Sequence, residues 1–153
     1  MSQYYFDPLN RFAIDDYDAL PPFASFLPGI AGPLGIPLWA FYVNRGQAIA
    51  SFGVESKDAP IMEFQAANKA YQTVPYTGFR TFIKARGAVD GYYEPFSPSI
   101  RPTPSRRMFI SASEIELEET STLHGLQVNA LYFTLPGESF AGLVRQVTVR
   151  NVS

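Results

Sequence analysis

The chain has 153 residues, 46% of them hydrophobic and 17% charged, and a formal net charge of −2 at neutral pH. Such a composition belongs to a folded unit with its own core, and its charge balance offers no attraction to nucleic acid or to an anionic membrane surface. There is no cysteine, which excludes disulfides, thiolate metal sites and cysteine nucleophiles.

The opening, MSQYYFDPLNRF, has neither a basic n-region nor a continuous apolar h-region, so no signal peptide is expected. Nor does any stretch approach the ~18 uninterrupted apolar residues of a membrane helix, which makes a cytoplasmic location the default expectation. Asp15, Asp16 and Asp18 follow in IDDYDALPPF, ahead of a Pro-Pro pair where Asx-turns are common. Paired carboxylates run glycoside chemistry, but neither this cluster nor the later glutamates have the apolar setting that raises a general acid's pKa.

The loop PGIAGPLGIP, residues 28–37, is rich in glycine and proline. A phosphate loop needs Gly-Lys followed by Ser or Thr, and a dinucleotide loop needs a helix after it. Neither condition is met, which leaves a stiff connector or a lip that reaches a ligand or a neighbouring subunit. Two strands, 37–43 and 48–54, are expected to flank NRGQ as a hairpin, with Gly46 supplying a left-handed turn residue. On the first of them Trp39 and Phe41 share a face and are expected to be buried. Tyr42 is a candidate to line a groove together with Arg80.

Thirteen prolines leave few windows for helix, because a helix-interior proline costs ~3 kcal/mol. The one helical candidate is EFQAANKAY, 63–71. FRTFIKAR, 79–86, reads as a strand, and Tyr92, Tyr93 and Phe96 crowd GYYEPF after it. The proline-rich SPSIRPTPSRR, 97–107, divides a hairpin region (1–96) from a β-meander (108–153).

The meander has three strands. In 113–119, Ile115 and Leu117 face inward, while Glu114, Glu116, Glu118 and Glu119 are expected on a solvated face. In 124–135, Leu126, Val128, Ala130 and Tyr132 share one face; in 140–150, Leu143, Val147 and Val149 do. His124, the only histidine, falls in the turn TLHGL and has no second His or Cys to support a metal site. No residue qualifies as catalytic. The last strand has a free edge, which calls for pairing with an earlier strand or for a chain that continues. The fold class is therefore all-β: an antiparallel β-sandwich with little helix, complete in 1–153 or part of a larger sandwich.

The segments FASFLPGIAGPLGIPLWAFYVNRGQAIASFG, ANKAYQTVPYTGFRTFIK, YEPF and EIELEETSTLHGLQVNALYFTLPGESFAGLVRQVTVRN resemble the opening of inverting glycoside phosphorylases. They look most like the β-1,3-glucan phosphorylases related to the cellobiose phosphorylase group. The resemblance implies an N-terminal super-β-sandwich followed by a helical linker, an (α/α)6 barrel and a small β-domain. It implies phosphorolysis of a β-glucan or β-glucoside to a sugar 1-phosphate, with inorganic phosphate as co-substrate and no metal or organic cofactor. Because the barrel carries the catalytic acid, no catalytic residue transfers to this chain, which is expected to be inactive alone. Its expected partners are the downstream barrel or a dimer partner subunit, with an oligosaccharide as a further candidate. The alternatives are a non-catalytic carbohydrate-binding sandwich and an interaction domain.

Overall fold

The computed structural model describes residues 4–86, 90–100 and 103–153. Two antiparallel sheets enclose a shared core. The larger has the order β1-β2-β9-β10-β11-β12, built from Tyr4–Phe6, Phe12–Asp15, Ser105–Ile110, Glu114–Ser121, Leu126–Thr134 and Leu143–Asn151. The smaller has the order β3-β4-β5-β6, from Ala24–Leu27, Leu38–Val43, Ile49–Val54 and Pro60–Met62. A two-stranded ribbon, β7 (Ile83–Ala85) and β8 (Gly91–Tyr93), and one helix, α1 (Ala67–Thr77), complete the fold.

Period-2 patterning explains the large sheet. Register aligns Ile14, Met108, Leu117, Ala130 and Val147 as one inward row across five strands. Leu27, Leu38, Ala40, Tyr42 and Ile49 of the small sheet belong to the same core cluster. Burying each larger aliphatic side chain contributes about 1.5–3 kcal/mol, so this row is a main source of stability. Phe79 bridges the layers, its ring centroid 6.2 Å from Phe52 and 5.9 Å from Tyr132.

The β4–β5 hairpin forms around its expected turn, with Gly46 at φ 51° and Ala48 at φ 66°. The small residue at 46 also has a packing reason, since an added Cβ would lie 2.9 Å from the Pro75 Cα. Asn44 ties the preceding chain to this hairpin: its Oδ1 accepts from Phe23 N–H (2.9 Å) and its Nδ2 donates to Tyr17 O (2.9 Å). Tyr17 in turn donates its hydroxyl to Gly46 O at 2.6 Å.

Several boundaries differ from expectation. The helix begins at Ala67 rather than Glu63, because Phe64 leaves the helical path to stack on the β3–β4 aromatics. It also runs through Pro75, which falls in the last turn, where Gly78 N–H reaches Val74 O at 3.0 Å and ends the ladder. Only Ile83–Ala85 of the expected 79–86 strand pairs with a neighbour. The loop assigned to 97–107 ends early: β9 starts at Ser105 and pairs with β2, so the N-terminal region and the meander share one sheet. Residues 101 and 102 of that loop lie outside the described residues. At the other end, β12 pairs only with β11 among the described strands and forms a sheet edge. No described helix is long and apolar enough to cross a membrane.

Candidate functional site

The glycine/proline loop connects β3 to β4, so a strand lies on each side of it and no helix N-terminus addresses it. Its glycines serve close approach. A Cβ on Gly35 would fall 1.5 Å from Ala31 O, and one on Gly29 would fall 2.6 Å from Leu38 O. Gly32, at φ 69°, packs on the backbone of Gly137, whose N–H donates to Ala31 O at 2.6 Å. Two loops, 28–37 and 135–142, are thereby joined at one end of the sandwich. Their tips carry exposed apolar side chains: Leu34 is 80% exposed, Phe140 56% and Ile30 41%. A stiff backbone presenting apolar tips is the form of a contact surface.

A second feature lies on the outer face of the small sheet. Phe26, Trp39, Phe41 and Phe64 form a four-ring cluster with centroid separations from 5.0 to 6.4 Å. Phe41 is buried as expected, but Trp39 is only half-buried. Phe26 and Phe64 are exposed beside it. The indole lies over Gly53, where a Cβ would come within 2.7 Å of its Cζ2, and it is anchored by Nε1 donating to Ser56 O at 2.8 Å. An aromatic surface fixed in this way presents rings to solvent without side-chain reordering.

The third feature is a buried ion cluster that sequence reasoning missed. Glu119 is not on the solvated face; its side chain is fully buried. Its position is odd-numbered like Ile115 and Leu117, so strict alternation turns it inward with them. One carboxylate oxygen accepts from Arg106 Nε (2.6 Å) and from Phe96 N–H (2.6 Å), and the other accepts the Tyr93 hydroxyl. Arg106 also pairs with Asp18 and donates to Ser97 O at 2.7 Å. Phe96, held by the carboxylate, has φ 65° although it is a bulky residue, a conformation that stores strain. Burial is the main cause that pushes the Tyr93 phenol well above its usual range, reinforced by its hydrogen bond to Glu119. Every hydrogen-bond partner of Glu119 is a donor, and Glu119 lines neither described cavity. Its chemistry is structural.

The remaining candidates are dispersed. Tyr42 is buried in the shared core, where burial raises its phenol pKa, and it lines no groove. Arg80 is exposed, paired with Glu94 through Nε (2.5 Å) and Nη2 (2.8 Å), and stacked over the Phe82 ring at 4.8 Å. Of the aspartates, Asp15 accepts the Tyr5 hydroxyl (3.3 Å), Asp16 sits in a turn at φ 47° and Asp18 joins the ion cluster. Glu116 and Glu118 do lie on the outer face, where Arg11 and Arg107 neutralise them and Asn129 bridges them. His124 occupies the β10–β11 turn and stacks on Tyr93 with centroids 4.2 Å apart. No group of three or more potential metal ligands occurs among the described residues.

No protein-family model matches the chain, and a search of curated proteins finds no match to it.

Proposed function

We propose that the chain is the N-terminal β-sandwich portion of a carbohydrate phosphorylase, serving as scaffold and contact surface rather than as the catalytic centre. The parent enzyme cleaves a β-glucan or β-glucoside with inorganic phosphate, releasing a sugar 1-phosphate with inversion. The observation that carries the reading is where the resembling segments fall. PLWAFYVNRGQAIASFG is the β4–β5 hairpin, and EIELEETS through VRN is the β10–β12 meander, so together they supply the facing sheets of an antiparallel sandwich. The joined loops 28–37 and 135–142 add an apolar lip suited to docking on a barrel or a partner subunit. The test is phosphate-dependent release of sugar 1-phosphate from a β-1,3-glucan oligosaccharide. The reading requires no turnover by the 153 residues alone; turnover by them would overturn the scaffold role.

A second reading, a carbohydrate-binding sandwich, draws on the Trp39 cluster. Sugar rings stack on exposed aromatic faces, and Trp39 is the chain's single tryptophan, so its fluorescence reports on that surface directly. Saturable quenching by oligosaccharide favours this reading, and an unchanged spectrum up to about millimolar sugar, the weak end of specific binding, counts against it.

A further inference from the structure

A cleft of about 450 Å³ opens where the β7–β8 ribbon meets the β10–β11 turn and the end of β12. Ile83, Leu123, Leu126 and Val149 give it an apolar wall. Its charged side chains are of one sign: Lys84 and Arg86 contribute cations, and no Asp or Glu is among its described lining residues, which also include Ser153, the last residue of the sequence. Neither cation has an ion-pair or hydrogen-bond partner among the described residues, whereas Arg11, Lys57, Arg80, Arg106 and Arg107 are all paired with carboxylates.

His124 completes the lining, and its orientation is set from within the core. Ser121 Oγ lies 2.9 Å from His124 Nδ1 and accepts the His124 backbone N–H at 3.4 Å. The contact with Ser121 and stacking on Tyr93 together fix the ring plane. The other ring nitrogen, Nε2, has no protein partner among the described residues, and the imidazole lines the cleft.

We infer that this cleft binds a phosphate group, as the free dianion or as the monoester of a small organic molecule, through Lys84, Arg86 and His124. Two unpaired cations and an imidazole match a dianion better than they match a monocarboxylate, and the apolar wall suits an organic body beside the phosphate.

His124 is the only histidine, so its imidazole NMR signals report on the cleft without assignment work. The experiment titrates the 153-residue chain with inorganic phosphate, with a hexose monophosphate and with chloride at matched ionic strength. The expected result is a saturable shift of the His124 signals by phosphate or its monoester at about millimolar concentration, and none by chloride. Tighter binding of the monoester identifies an organic phosphate as the ligand; equal binding identifies free phosphate. K84Q/R86Q, which alters exposed side chains, is expected to weaken binding at least about tenfold, while K69Q on α1 leaves it unchanged. Shifts that never saturate, that chloride reproduces, or that survive K84Q/R86Q overturn the site. Because the readout is binding to this chain, its failure leaves the phosphorylase reading standing, and the converse also holds.

Discussion

Glu119→Gln is the substitution that most sharply probes how the segment 94–97 is held onto the larger sheet. The side chain keeps its volume, so no cavity opens, but the three groups around Glu119 are all donors: Tyr93 Oη–H, Phe96 N–H and Arg106 Nε–H. A carboxylate offers two acceptor oxygens to them, whereas a glutamine offers one and turns an NH2 group against the remaining donor. Arg106, only 4% exposed, would also lose its better-buried counter-charge and keep only Asp18, which is 22% exposed. Removing one partner of a buried ion pair costs about 3–5 kcal/mol, and the residual Asp18 pairing lowers the expectation to about 2–4 kcal/mol. For a chain of this size that is a fall in Tm on the order of 10 °C. Urea unfolding followed by Trp39 fluorescence measures it, with R106Q and the double variant completing a cycle whose coupling should exceed about 1 kcal/mol. A loss below about 1 kcal/mol, or an additive double variant, would refute the claim that this cluster holds the strap 94–97 onto the sheet.

Two further outcomes follow from the packing. Tyr17 and Tyr93 are pushed above the usual phenol range chiefly by burial, and Tyr132 is pushed up by burial to about 12. A raised native pKa means that the unfolded chain loses its protons first. Stability is therefore complete below about pH 10, the unfolded phenol value, and falls as pH rises from there through the native values. Tyrosinate absorbance should accordingly titrate in two phases, exposed tyrosines first and the buried set together with unfolding. A single phase near pH ~10 with the fold intact would contradict this burial. For the loop, Gly35→Ala forces a Cβ to within 1.5 Å of Ala31 O. The backbone of 31–35 must move, at a cost of about 1–3 kcal/mol, and protease cleavage within 28–37 should accelerate. An unchanged cleavage rate would show that the loop is not rigid.

The parts of the fold that were legible in the sequence are those with a clean two-residue period. β10 alternates strictly over eight residues, β11 and β12 are nine residues long and alternate in part, and the β4–β5 hairpin has a glycine where its turn needs a left-handed residue. Strands of three or four residues, such as β1, β2, β3, β6 and β8, are too short to establish a period, and only their pairing defines them. β9 was hidden differently. SRRMFI carries two arginines directly after its first residue and follows a proline-rich run, and Arg106 faces the core only because Glu119 meets it there. The same pair explains the misplacement of Glu119: its parity pointed inward, while its charge, by the ordinary rule for surface residues, pointed outward. A buried carboxylate is legible from sequence only when its cation is identified on the neighbouring strand. Tyr42 failed as a groove residue for a related reason. It shares a face of β4 with Leu38 and Ala40, opposite Trp39 and Phe41, so alternation carries the phenol into the shared core.

The central claim, that this sandwich serves a phosphorylase, is tested most directly by reading the source DNA immediately after the codon for Ser153. The account predicts an open frame that continues into a helix-rich barrel. A stop codon at that point would contradict it, leaving a free-standing β-domain for which binding replaces catalysis.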